Sequence, residues 1–349
     1  MRIAIGTVPR KDPFGGGNQF ARILSKALRE ENHEVFFDLK TDRLDVILIT
    51  EPRLWLQASA FGPLEVARYL KKISSTTMVV HRINECDQRK GTNSVNRQLA
   101  LSNSVADHTV FISEWLRDIF RSCNLTKRQS VIRNGADKDI FNFQKKEVPA
   151  KGKKVRIVTH HWSPNQNKGW DIYKLIDDSI DPESYEFHYI GNKPKNIDTK
   201  NIVFHDPCAN KELSTLLSDN HIYLTASLNE PAGMHHIEGA SVGLPLVFRQ
   251  SGALPEYCNG YGEAFSDIAS AWEAIKKIHT NFTDYAGRMQ TYPAHSKRMV
   301  KEYLDLFECL ITEKHQIVRN RSGPSSSVSD VSRILKYYNH YLMHRLGRQ

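Results

Sequence analysis

Short apolar runs alternate with amphipathic helical windows along most of this chain, and they do so in two successive series. That rhythm belongs to the α/β class, in which a helix crosses over between strands and the next strand rejoins the sheet in parallel. In the first series strands are expected at 2–5, 35–37, 46–49, 78–80, 108–112 and 131–132. Between the first two, Phe20, Ile23, Leu24, Ala27 and Leu28 recur at helical spacing and give one apolar face. Residues 142–154 then turn polar and lysine-rich around Pro149 and Gly152, which reads as an exposed connection. A second series follows, with strands expected at 155–158, 186–190, 202–204, 222–224 and 246–248.

A length of 349 residues suffices for two cores of ordinary size. The expected division is 1–145, 146–315 and 316–349, the last holding a serine-rich linker at 319–331 and a basic final stretch at 334–348. That stretch mixes aromatic, aliphatic and basic residues, as an amphipathic helix does when it docks within a protein or on an acidic membrane. The net charge of +9 favours anionic partners. Outside the final stretch its lysines and arginines are mostly spread, with few interleaved aromatics, which counts against a nucleic-acid module. Five scattered cysteines form no C-x-x-C pair, so neither a zinc site nor a disulfide framework is suggested. With no leader-like or membrane-spanning apolar stretch, a cytoplasmic location is the expectation, and docking of the last helix within the protein or on a partner subunit is favoured over peripheral contact with a membrane.

Three constellations carry possible chemistry. Gly15-Gly16-Gly17-Asn18 sits between the opening strand and the first helix, where glycines let backbone approach a ligand and free N–H groups favour an anion. It lacks the G-x-G-x-x-G form, so hydride transfer loses ground, and a plain strand-to-helix turn is the bland alternative. Lys168-Gly169 follows the first strand of the second series, where a lysine can meet a phosphate, although most exposed lysines are only solvated charge. The most specific is Glu230-Pro231-Ala232-Gly233-Met234-His235-His236-Ile237-Glu238, directly after a strand. Its helix start offers unpaired N–H donors to a diphosphate from about Met234. Glu238 can accept from a ribose diol, and Glu230 can reach the hydroxyls of a sugar.

Seven residues separate those glutamates, and the pair resembles the E-x7-E signature of retaining glycosyltransferases with the GT-B fold, family 4 type. Val131-Ile132-Arg133-Asn134-Gly135-Ala136-Asp137 with Phe141, and Val110-Phe111-Ile112-Ser113-Glu114-Trp115-Leu116, are similar to stretches that close the family's N-terminal domain. Lys168-Gly169, Glu238-Gly239-Ala240, Gly243-Leu244-Pro245 and Ser251-Gly252-Ala253-Leu254-Pro255-Glu256 continue the match in order.

The resemblance implies two Rossmann-like domains facing each other across a cleft, with the acceptor on 1–145 and a nucleotide-sugar donor on 146–315. It implies retention of anomeric configuration without an enzymic nucleophile, the leaving phosphate taking the acceptor's proton. Glu230, Lys168 and His81 form the catalytic set, His81 standing after the strand 78–80 and close to the transferred sugar. The donor set is Gly16, Gly17, Asn18, His161, Lys168, Gly233, Met234, His235 and Glu238. Asp87, Arg89 and Lys90, in the polar run after His81, are the candidate acceptor contacts. Where the family usually carries an arginine before the lysine this chain has Ser163, with His161 as a candidate substitute, and the aromatic usual before Gly233 is missing. Metal-independent activity with no cofactor is expected, the nucleotide sugar being a substrate. The acceptor is left open among carbohydrate, lipid-linked, protein and small-molecule classes. The alternatives are an epimerase or phosphorylase of the same fold, and a non-catalytic nucleotide-sugar binder.

Overall fold

A computed structural model describes residues 1–10, 15–123, 125–150 and 152–321, with Lys336, Asn339, Leu342 and Met343. Most of the serine-rich stretch and of the basic final stretch, the candidate for docking or membrane contact, lies outside the described residues; those four positions are helical and exposed. Among the described residues no helix is long and apolar enough to cross a membrane. The described residues divide into two compact units, one comprising 1–10, 16–133 and 300–321, the other Gly15 with 134–299. Each contains a six-stranded sheet in which all pairings are parallel.

In the first unit the order of elements is β1 (Arg2–Ile5), α1 (Gly16–Glu30), β2 (Glu34–Phe36), β3 (Val46–Ile49), α2 (Pro63–Lys72), β4 (Met78–Ile83), α3 (Asp87–Lys90), α4 (Val95–Ser102), β5 (His108–Phe111), α5 (Glu114–Ile119) and β6 (Gln129–Val131). The strand order β2-β1-β3-β4-β5-β6 reverses direction between β1 and β3. Every residue of β3 is buried, as expected of a central parallel strand covered on both faces. Val66, Tyr69 and Leu70 of α2 pack on Ile47, Ile49 and Val79. Phe20, Leu24 and Leu28 of α1 are buried, the periodic face read from the sequence. Burying one such side chain contributes roughly 1.5–3 kcal/mol.

The second unit runs β7 (Val155–His161), α6 (Trp170–Ser179), β8 (Tyr185–Gly191), β9 (Ile202–His205), α7 (Asn210–Ser218), β10 (Ile222–Thr225), α8 (Met234–Ser241), β11 (Leu246–Arg249), α9 (Leu254–Cys258), β12 (Gly262–Phe265), α10 (Ile268–Thr280) and α11 (Phe282–Arg288). Its order, β12-β11-β10-β7-β8-β9, is doubly wound, with the reversal between β7 and β10. Trp170, Tyr173 and Ile176 of α6 join Ile157, Phe187 and Tyr189 in its core. Gly239 brings α8 close to β10, since a Cβ there would stand 2.2 Å from the Tyr223 ring.

Composition places divisions at 145/146 and 315/316, whereas the contacts divide the chain at 133/134 and 299/300. Four long-range interactions explain the offset. Asn134 donates its backbone N–H to the Tyr257 hydroxyl, and Ala136 pairs with His295, which ties the segment after β6 into the second unit. The helix α12 (Ser296–Thr312) places Tyr303 against Phe20 of the first unit, ring centroids 5.3 Å apart. After it α13 (Lys314–Asn320) ends at Arg321, which grips Asp107 with both Nε and a terminal nitrogen at 2.8 and 2.7 Å.

Candidate functional site

In doubly wound sheets ligands bind beyond the carboxyl ends of the strands, where the order reverses. In the second unit that place lies between β7 and β10. β7 ends in His160 and His161; β10 ends in Thr225 and feeds the loop that carries Glu230. Lys168 donates from Nζ to Glu230 Oε2 at 3.0 Å, with only 13% and 5% of the two side chains exposed. His160 donates from Nε2 to Glu238 Oε2 at 2.8 Å, while its Nδ1 faces the Tyr223 hydroxyl at 3.1 Å. The other oxygen, Glu238 Oε1, is buried and makes no hydrogen bond among the described residues. It can accept from a ligand hydroxyl. Just behind, the Tyr173 hydroxyl meets His161 Nε2 at 2.9 Å and accepts from the Ala226 N–H at 3.1 Å.

The Glu230 loop is held from three sides. Leu228 donates to the Asn167 carbonyl at 2.8 Å, Ala253 donates to the Glu230 carbonyl at 2.8 Å, and Asn134 Nδ2 donates to the Ala232 carbonyl at 2.9 Å. Gly252, with φ 64°, lies so close that a Cβ would stand 2.4 Å from the Glu230 nitrogen. Two non-glycine residues of the loop have positive φ, Asn229 at 49° and Ala232 at 154°, and such backbone persists where surrounding contacts over-determine it. The loop opens into α8, whose start has no side-chain cap. His235 and His236 lie in its first turn, both buried. Burial lowers His236 to about 3, and both of its ring nitrogens lack a partner among the described residues.

The remaining site residues lie in the first unit. His81 is fully buried inside β4, because that strand continues to Ile83 instead of ending at 80. Its register pairs His81 with Ile49 and Thr109, and Arg82 is accommodated by lying 3.9 Å over the Phe20 ring. Asn103 Nδ2 faces His81 Nδ1 at 3.2 Å; Nε2 is buried and has no hydrogen-bond partner among the described residues, and burial lowers the imidazole to about 3. Gly16 and Gly17 open α1, and a Cβ on Gly17 would meet only Asn84 Nδ2 at 3.9 Å, so internal packing does not demand the glycine. Asn18 turns its amide inward, accepting from the Arg10 N–H at 2.6 Å. Asp87 spends its carboxylate on Thr92 and on the N–H groups of Val95 and Asn96. Arg89 is buried, and Lys90 pairs with Glu85 at 2.8 Å.

Asp137 and Asp139, two carboxylates one residue apart, lie at a turn in which Asp137 Oδ1 accepts from the Asp139 N–H at 3.0 Å. Among the described residues no group of three or more His, Cys, Asp or Glu is arranged to hold a metal ion.

Sucrose-phosphate synthase from Thermosynechococcus elongatus superposes over 89% of this chain and 99% of its own, with a TM-score of 0.68 at 14% identity. The Anabaena protein HepE, solved in complex with UDP and glucose, covers 89% of this chain and 100% of its own at a TM-score of 0.64 and 13% identity. The chain has the GT-B fold. Its two Rossmann-like units are those read from the sequence; the sheet reversals at β1/β3 and β10/β7 come from the structure. No protein-family model matches the chain. In sequence it is 23% identical over 271 residues to the phosphatidylinositol N-acetylglucosaminyltransferase gpi3 subunit of Schizosaccharomyces pombe, covering 70% of this chain and 55% of that protein. The corresponding Saccharomyces cerevisiae subunit is 26% identical over 242 residues, or 61% of this chain and 51% of its own. The chain thus spans about half the length of the curated relatives it matches.

Sequence spacing singles out Lys168, Glu230, Gly233 and Glu238. It does not reveal His160, Tyr173, Thr225 or the part played by Asn134. His160 precedes its partner Glu238 by 78 positions and Asn134 precedes Ala232 by 98, so only the fold joins them. The one available signal was the strand end at 160–161, since buried polar residues at the carboxyl end of a central strand belong to the ligand side.

Proposed function

We propose that this protein is a retaining glycosyltransferase that moves a sugar from a nucleoside diphosphate to the hydroxyl of an acceptor, without a metal ion. The observation that carries the reading is the convergence of two buried contacts, the Lys168–Glu230 ion pair and the His160–Glu238 hydrogen bond, on the start of α8, which has no side-chain cap, at the β7/β10 reversal. An uncapped helix start offers N–H donors and a partial positive charge to an anion. The diphosphate is assigned to those donors and to Lys168, with Gly16 and Gly17 at the start of α1 as its contacts in the first unit. Glu238, with Oε1 unsatisfied and His160 fixing the opposite oxygen, is assigned the ribose diol. Glu230 takes sugar hydroxyls, and the neutral His81 is assigned to the transferred sugar.

As the bond from the anomeric carbon to the phosphate oxygen breaks, charge builds on the leaving diphosphate. Positioned positive charge lowers the barrier most at that point. The acceptor hydroxyl then attacks on the face the phosphate leaves, and its proton passes to the departing phosphate. The solved neighbour that holds UDP and glucose, and the relatives named as N-acetylglucosaminyltransferases, support both the donor class and the reaction class. A cytoplasmic or peripheral membrane setting is part of the same proposal.

The test is calorimetric titration with UDP, GDP and their sugars, beside Glu238→Ala, followed by NMR of the anomeric product. Micromolar binding of one nucleotide, abolished by Glu238→Ala, and a product of unchanged anomeric configuration are expected. No nucleotide binding, or identical binding to the variant, overturns the donor-site assignment. An inverted product overturns retention.

A further inference from the structure

Gly233, which caps α8, has φ −67° and ψ 147°, a backbone open to any residue. Its lack of a side chain therefore answers to space. A Cβ at this position would stand 2.4 Å from His235 Nδ1 and 3.0 Å from the Glu230 carboxyl carbon. The bare glycine leaves both groups uncovered. His235 is anchored from behind, with Nε2 2.9 Å from Thr225 Oγ1 and its ring 4.6 Å from that of His161 and 5.0 Å from that of His236. Its Nδ1 makes no hydrogen bond among the described residues.

We propose that His235 is a direct ligand of the donor's diphosphate, and that binding a nucleoside diphosphate brings a proton onto its ring. The inference rests on the donor-site reading above. The groups that face His235 are His160 and His161 from β7, Tyr223 from β10, His236 from α8, and Lys168 and Glu230 from the two loops. Without ligand the ring is neutral, because burial foremost, then His161, Lys168, His236 and His160, hold it well below the ordinary histidine value. A diphosphate at the start of α8 reverses the balance, since an opposite charge within contact favours the charged form. The imidazolium then has two N–H donors, Nε2 for the Thr225 hydroxyl and Nδ1 for a phosphate oxygen. This supplies, only when the anion is present, a second cation beside Lys168, in a chain that has Ser163 where a permanent arginine would otherwise stand.

The sign of the linkage is fixed. Affinity is constant above the pKa of the bound state and rises as pH falls below it, by at most about tenfold per pH unit for one proton. The experiment is titration of the full chain with UDP and GDP near neutral pH in HEPES and in Tris, buffers of different ionisation heat, repeated about one pH unit lower. Wild type is expected to take up more protons per nucleotide than His235→Asn, which keeps a donor near the Nδ1 position but cannot titrate. The ligand's own ionisation is common to both, so the difference belongs to the ring. His235→Gln, which keeps the Thr225 contact and loses Nδ1, is expected to bind at least tenfold more weakly. If a variant fails to fold, Gly233→Ala replaces it, its methyl covering Nδ1 with the same expected loss. Equal proton uptake by wild type and His235→Asn, with binding still dependent on Lys168, overturns the His235 assignment and leaves the donor site standing. No nucleotide binding to wild type overturns both.

Discussion

Lys168 and Glu230 form a pair that is almost fully removed from water, and its two halves do different work. Removing one member of a buried pair strands the other charge and costs roughly 3–5 kcal/mol, whereas neutralising both is often nearly free. Lys168→Met is therefore expected to lower the denaturation midpoint sharply, and Lys168→Met with Glu230→Gln to recover most of the loss. Turnover is expected to fall by roughly 100- to 1,000-fold in both, since loss of one preorganised charge costs that much and stability does not replace it. Urea melts beside steady-state assays check this, and a double variant no more stable than the single one sinks it. Glu230 was legible from its fixed spacing to Glu238 along one loop and one helix, and Lys168 from its place after the first strand of the second series. The roles of His160, Asn134 and Gly252 were not, because each acts on a residue far off in sequence, Glu238 of α8 or the 229–232 loop, that only the fold brings to it.

The elements were mostly legible from periodicity, and the exceptions share a cause. β12 shows no alternation of apolar and polar residues, being an edge strand with only Phe265 buried. β4 runs on through His81 and Arg82, which look like a strand end in sequence but are buried by Asn103 and by the face of Phe20. The return of the chain from 300 to 321 onto the first unit was hidden too, because it depends on single long-range grips. Arg321 is the clearest, holding Asp107 bidentately and donating to the carbonyls of Ser75 and Thr77 at 2.7 and 2.8 Å. Asp107 in turn accepts from the Val79 N–H at 2.8 Å. Arg321→Ala is expected to destabilise the protein by about 3 kcal/mol, the lower end for a broken buried pair. Arg321→Lys should recover only part, since a point charge cannot reproduce the fork. An alanine variant within about 1 kcal/mol of wild type in chemical denaturation would show that α13 is not anchored by this residue.

For the molecule as a whole, the histidines determine the response to acid. Burial brings His81 and His236 to about 3, and burial assisted by nearby cations brings His108 and His221 to about 4. Each is lower in the folded chain than its ordinary value of 6.5, so above that value it costs nothing. As pH falls from 6.5 toward 4 the unfolded chain takes up protons that the folded chain refuses, and stability drops by up to roughly 1.4 kcal/mol per pH unit for each group. Urea titrations across that window should give a slope equivalent to at least two protons. A flat profile would mean that these rings open to water more easily than their burial implies. His236→Phe tests one contribution alone, removing two unsatisfied buried nitrogens and one titration together. It is expected to raise the midpoint, reduce the acid slope by about one proton and leave His235 in place. If donor binding places a proton on His235, saturating nucleoside diphosphate must stabilise wild type more at the acid end of this window than at neutrality. His235→Asn should then show a smaller difference between the two, since its site binds the same anion without the proton.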